Sequence, residues 1–168
     1  MDAIMNRKSV RNYKPVPVGD DLVEKLLRAA MQAPSAGNQQ PWEFVVIRDR
    51  EIMKAITAFH PYSGAVLKAD VLIVVCGNLS KTKFDGFWVQ DCSAATENLL
   101  VEAESLSLGA VWLGVYPLED RVAALSALLD LPSDVIPLCI VPVGYPDREY
   151  SAADRFGPSR IHLEKWTD

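Results

Sequence analysis

Residues 33–42 read APSAGNQQPW, and the fold reading turns on them. Pro34, Gly37 and Pro41 break regular structure, so the stretch is a loop between two regular elements. Ser35, Asn38, Gln39 and Gln40 line that loop with neutral hydrogen-bonding groups. A plain polar turn uses the same residue types. The density of amides also suits a planar heterocycle with alternating carbonyls and N–H groups, because an amide side chain offers both donors and an acceptor. Ser35, Ala36 and Gly37 are small enough for backbone to approach such a ring closely.

Upstream, residues 6–14 read NRKSVRNYK. Arg7, Lys8, Ser9 and Arg11 crowd together in a chain whose net charge is −5. Such a cluster is either a solvated charge run or an anion pocket. Two guanidinium forks, an ammonium and a hydroxyl are the donors a phosphate accepts from. A phosphate monoester carries nearly two charges near neutral pH, which a few cations match. The chain has neither G-x-G-x-x-G after a strand nor G-x-x-x-x-G-K-[ST]. Any bound phosphate is therefore held by side chains rather than by a glycine loop.

Outward from these motifs, hydrophobic spacing predicts alternating helices and strands. A helix is expected over 20–33, where Leu22, Val23, Leu26, Leu27, Ala30 and Met31 share a face, with Asp20 as N-cap and Pro34 as its stop. A strand comes next over 43–47, then a helix over 50–59 capped by Asp49. Residues 70–76 (DVLIVVC) read as a buried strand, and 89–107 as the longest helix, stopped by Gly109. Residues 110–115 (AVWLGV) read as another buried strand, and Pro117 opens a helix through about Leu129. The last strand spans 136–143, where Pro137 and Pro142 suggest a sheet edge or strand ends. The alternation argues for a sheet covered on both faces and leaves parallel or antiparallel pairing open. Without linker or repeat, residues 1–168 form a single domain, with 151–168 as an irregular C-terminal arm.

Composition excludes several classes. The chain has 168 residues, 49% of them hydrophobic and 23% charged, enough for a core without a metal or disulfide staple. The acidic balance argues against a nucleic-acid partner. The apolar run Val71–Gly77 is far too short to span a membrane, and the first residues lack the apolar core of a signal peptide. Cys76, Cys92 and Cys139 each lie in an apolar segment and read as buried free thiols, which points to the cytoplasm. His60 and His162 have no triad or metal-ligand spacing around them, so neither a side-chain nucleophile nor a metal is expected.

Taken together, Arg7-Lys8-Ser9-Val10-Arg11 and Ala33-Pro34-Ser35-Ala36-Gly37-Asn38-Gln39-Gln40-Pro41-Trp42 resemble the paired motifs of the FMN-dependent nitroreductase family of NAD(P)H oxidoreductases. Leu108–Gly114 (LGAVWLG) resembles that family's late strand, and Arg155, Ile161-His162 and Trp166 its closing motif. The resemblance implies an α+β fold: a nitroreductase-like three-layer sandwich with a mostly antiparallel central sheet flanked by helices. It also implies a homodimer in which a C-terminal strand is exchanged and FMN lies at the subunit interface. Arg7, Lys8 and Ser9 then match positions near the FMN phosphate and ribityl chain, and Arg11 a cation near the N1/O2 edge of the flavin. Pro34, Ser35, Ala36 and Asn38 match the loop that reaches the cofactor from the other subunit. Trp112, Leu113 and Gly114 match the strand end facing the ring near N5 and O4, and Arg155 a second phosphate contact. The helix at 89–107 is a candidate dimer core, and an arm laid on a partner would bury Phe156, Ile161, Leu163 and Trp166.

The implied activity passes reducing equivalents from NADH or NADPH through bound FMN to a small planar electron-poor acceptor, such as a nitroaromatic or a quinone, in ping-pong order at one site. The flavin carries the chemistry and the protein sets its position and charge. The alternative is a non-catalytic FMN-binding protein serving storage or sensing. Tyr62, Phe84, Phe87 and Trp88 are candidates to cover the flavin, with Phe87 and Trp88 alternatively packing in the core.

Overall fold

A computed structural model describes residues 2–166. Met1, Thr167 and Asp168, the ends of the expected domain and arm, lie outside the described residues. The helices are α1 (Asp2–Asn6), α2 (Asp20–Met31), α3 (Arg50–Phe59), α4 (Trp88–Ser105) and α5 (Glu119–Leu128). The strands are β1 (Trp42–Ile47), β2 (Val71–Asn78), β3 (Gly109–Ala110), β4 (Leu113–Gly114) and β5 (Val135–Gly144). They form one sheet in the order β1-β2-β5-β3, with β4 also on β5, and every strand pairing is antiparallel. The question that periodicity left open is settled in favour of the α+β architecture.

Strand side chains alternate between two cores, so the sheet is the middle of three layers. Val71, Ile73, Val75, Val141 and Val143 face α2 and α4 together with Leu26, Ala95 and Leu99. Leu72, Val74, Cys76 and Ile140 face α3 and α5 together with Met53, Ile56 and Leu125. α4 lies against the sheet through Trp88, Cys92, Ala95, Leu99 and Ala103. Asp49 caps α3 as expected, accepting from Glu51 N at 2.7 Å and Ile52 N at 3.1 Å.

Four local expectations are corrected. β5 is no edge strand, because it lies between β2 and the β3–β4 pair. Its prolines fall where the ladder is already interrupted. A bulge between Val75 and Cys76 skips Leu138 beside Pro137, which is why the consecutive Leu138 and Cys139 face the same core. Pro142 lies opposite the two-residue break between β3 and β4.

Second, the expected strand at 110–115 is therefore two short strands separated by Val111 and Trp112. Third, α4 ends at Ser105, and Ser107 takes the left-handed conformation (φ 58°) expected of a glycine there. Gly109 belongs to β3 instead, where a Cβ would strike the Val10 side chain. Fourth, Asp20 is the first residue of α2 rather than its cap; Gly19 caps without a side-chain bond, and Asp20 pairs with Arg48 at 2.9 Å.

The described arm, 151–166, contains no strand in this single chain, only a short turn at Pro158–Arg160. No helix among the described residues is long and apolar enough to cross a membrane.

Candidate functional site

The N-terminal segment runs extended beside the outer edge of the sheet. Ser9 pairs with Ala110, and Val10 N donates to Ala110 O at 2.9 Å. Val10 enters the core, and Tyr13 locks the segment with its hydroxyl 2.6 Å from Val10 O and 3.2 Å from Pro142 O. Burial pushes the Tyr13 phenol pKa upward, so it remains a neutral donor. With Val10 inward, Ser9 and Arg11 are left exposed. Among the described residues Arg11 has no ion pair.

Its neighbours are engaged with α4: Arg7 Nε is 3.2 Å from Glu97, and Lys8 Nζ is 2.7 Å from Glu104. Lys8 also lines a cleft of about 350 Å³ with Glu104, Leu108, Arg148 and Tyr150.

β4 continues the sheet edge past this segment. Leu113 is buried, and Trp112 and Gly114 are half-buried. Val115 N–H points into the sheet, donating to Leu138 O at 3.1 Å. Successive residues of an extended strand direct their N–H and C=O to opposite sides. The N–H and C=O of Gly114 therefore both point outward, toward that edge. The carbonyl is occupied by two donors, His60 Nε2 and Arg121 Nη1, each at 3.0 Å.

His60 is 2% exposed. Burial holds its pKa below the usual imidazole value, with a smaller contribution from the nearby Arg121 charge. The hydrogen-bond pattern thus assigns a neutral ring carrying its proton on Nε2. Nδ1 has no partner among the described residues.

The loop after α2 is wired from below by one buried carboxylate. Asp91, on the inward face of α4, accepts from Ala36 N at 2.9 Å and from Gln39 Nε2 at 2.6 Å. Gln39 Oε1 in turn accepts from Lys83 N at 2.8 Å and Phe84 N at 3.1 Å. Ser35 Oγ accepts from Gln40 N, and Asn38 Oδ1 from Gln40 Nε2. Much of the amide density is therefore structural. Pro34 and Asn38 remain exposed, and the Asn38 side-chain nitrogen is unspent among the described residues.

Gly37 has φ +52°, and a Cβ there would drive into the Phe84 ring. Trp88 packs in the core, with its ring 4.9 Å from that of Tyr116, whereas Tyr62, Phe84 and Phe87 stay largely exposed.

The single chain seats Ser9 against β3, with Arg7 and Arg11 on the same segment, but it does not bring the loop to that edge. The loop leads into β1, at the opposite edge of the sheet. Arg155 lies in the exposed arm, with its guanidinium 3.5 Å from Ala153 O. The sequence reading missed Asp91, His60 and Arg121 as organisers of these regions. Asp91 had a visible signal: a carboxylate between Trp88 and Ala95 in the apolar stripe of the longest helix.

The cysteines are free and buried. Burial pushes the thiols of Cys76 and Cys139 up to about 12 and raises that of Cys92 as well, so none is a ready thiolate. Among the described residues no group of His, Cys, Asp or Glu is placed to hold a metal ion.

These features define a three-layer α+β protein with cations and the outward Gly114 N–H along a sheet edge. The family model of the Nitroreductase family matches residues 4–60 and 59–145. The chain belongs to the nitroreductase family.

Three similar proteins carry the word "putative" in their names. An NADH dehydrogenase/NAD(P)H nitroreductase of Methanothermobacter thermautotrophicus is 49% identical over 166 residues, covering 99% of this chain and 87% of that protein. An NADH oxidase of Clostridium acetobutylicum, solved by crystallography, is 49% identical with a TM-score of 0.95, covering 98% of this chain and 100% of that one. A nitroreductase of Desulfovibrio desulfuricans, crystallised in complex with FMN, is 30% identical with a TM-score of 0.84, covering 99% of this chain and 96% of that one.

Proposed function

We propose that two copies of this chain jointly enclose FMN. The observation that carries this is the placement of the two motif regions at opposite edges of one sheet. A ligand seated between two chains meets one region from each. Arg7, Lys8 and Ser9 supply a fork, an ammonium and a hydroxyl for the phosphate end and ribityl chain, and Arg11 supplies a cation at the N1/O2 edge of the ring. Trp112, Leu113 and Gly114 offer the strand edge to the ring, and the Gly114 N–H is its outward donor. Pro34, Ser35, Ala36 and Asn38 approach from the other subunit, where small side chains and an unspent amide suit close contact. Arg155 joins the phosphate site when the arm lies across the partner, and that docking covers Phe156, Ile161, Leu163 and Trp166.

The protein is an FMN-dependent NAD(P)H oxidoreductase. FMN, when bound, supplies the redox chemistry, taking reducing equivalents from NADH or NADPH and passing them to an electron-poor acceptor such as a nitroaromatic or quinone, in ping-pong order at one site. The chain's own contribution would be to bind the anionic end with Arg7, Lys8 and Ser9 and to hold the Arg11 charge beside the ring. Three buried free thiols suit a reducing cytoplasm.

The test is purification followed by FMN titration, gel filtration and steady-state NADH and NADPH oxidation with menadione. A yellow, dimer-sized protein that turns over is expected. Bound flavin that neither nicotinamide reduces would favour a storage or sensor role, and a monomer that ignores FMN would refute the assignment. Arg11, having no ion pair to lose, reports cleanly: Arg11→Ala is expected to weaken FMN binding by about 1.5–3 kcal/mol.

A further inference from the structure

Gly114 lies in a strand of only two residues, paired on one side by β5. Among the described residues no strand holds its outer side, and glycine contributes no side chain to pack. Such a peptide should fray. Instead the outward carbonyl is capped twice, by a neutral donor from the end of α3 (His60) and a charged donor from α5 (Arg121). The inward N–H of the same peptide, that of Val115, is also spent, on Leu138. Peptide 114–115 is thus clamped at both ends, and the Gly114 N–H beside it is left facing out.

The cost of this clamp is visible. The position is 98% buried, where aliphatic side chains are the usual occupants, and His60 leaves Nδ1 there with no partner among the described residues. An orphaned buried acceptor is destabilising. What His60 provides that an aliphatic residue cannot is the Nε2 proton on Gly114. Arg121 is braced from the solvent side, with its guanidinium carbon 5.8 Å from the centre of the Tyr62 ring.

We infer that His60 and Arg121 are positioning residues: by capping the Gly114 carbonyl together they hold the edge of β4 so that its outward N–H is presented in one orientation to the flavin ring. This rests on the assignment of FMN to that edge. The double cap also occupies the outward Gly114 carbonyl, so its lone pairs do not compete beside the Gly114 N–H.

The experiment compares His60→Leu and Arg121→Met with His60→Gln and Arg121→Lys, which keep a donor of similar reach. FMN binding is measured by titration, and the Gly114 amide is followed by ¹H–¹⁵N NMR as FMN is added. Wild type is expected to bind FMN with a large Gly114 shift. Arg121→Met and His60→Leu should raise the FMN Kd about tenfold and shrink that shift, while the donor-keeping variants stay within about threefold.

Arg121 is only half-buried, so Arg121→Met is the decisive variant if His60→Leu does not fold. A folded Arg121→Met protein with wild-type Kd and an unchanged Gly114 shift overturns the inference while leaving the cofactor assignment intact. A wild-type protein that does not bind FMN overturns that assignment first, and this inference with it.

Discussion

The loop over residues 35–40 and the arm after Tyr150 are both irregular, yet their side chains meet opposite fates. In the loop, Gln39 is buried and its amide is spent on one carboxylate and two backbone N–H groups. In the arm, Phe156, Ile161, Leu163 and Trp166 are 74%, 55%, 79% and 79% exposed. Polar residues are satisfied internally while large apolar ones face water. A segment whose polar groups are consumed by its own chain is shaped before any partner arrives. A segment that leaves this much apolar surface uncovered needs a second surface to justify its composition.

The sharpest way to break the contrast is to cut the loop's wiring. Both oxygens of Asp91 accept, one from Ala36 N and one from the Gln39 amide. Asp91→Leu strands both donors in the interior and removes two charge-assisted bonds. A loss of about 3–5 kcal/mol is expected in urea denaturation. Asp91→Asn keeps the shape but turns an N–H₂ toward a donor. Gln39 cannot flip to compensate, because its own oxygen holds Lys83 N and Phe84 N. A cost of about 1–3 kcal/mol is expected for the asparagine. Wild-type stability in both variants would show that the loop is not preshaped by Asp91.

A smaller effect probes the turn itself. Gly37 sits at φ +52° under the Phe84 ring. Alanine in the left-handed region costs about 1–2 kcal/mol, and displacing Phe84 adds to this. Phe84 is 48% exposed and can swing away, so Gly37→Ala is expected to cost about 1–3 kcal/mol in all. Its cost should fall in a Phe84→Ala background, read as a double-mutant cycle. Equal costs in both backgrounds would mean that the ring does not police the turn.

The same contrast explains what was legible from residues alone. Val71–Cys76 and α3 with its Asp49 cap could be read because periodicity and capping are local. The central place of β5 could not. Pro137 and Pro142 argue for an edge unless one knows that a bulge and a strand break meet them, and both are long-range facts. In the site, the cations and the strand end were legible as motif residues. Asp91, His60 and Arg121 were not, because each acts on backbone atoms far away in sequence. That α4 carries an aspartate among buried residues was visible, but its partners were not. The arm's large apolar side chains find no cover in the described core.

The smallest expected effect on the single chain is also the most diagnostic. Deleting residues 151–168 removes side chains that the described core does not use, since none of its residues lies beyond Tyr150. At the lowest measurable protein concentration, the truncated and full chains should therefore unfold within about 0.5 kcal/mol of each other. Raising the concentration should separate them. Association stabilises by mass action, so the full chain's midpoint climbs and the truncated chain's stays flat. Gel filtration should move from dimer to monomer over the same range, with flavin lost alongside. A truncated chain that is several kcal/mol weaker at every concentration would place the arm in the core of its own subunit. It would erase the distinction between a loop shaped from within and a tail that waits for a second copy.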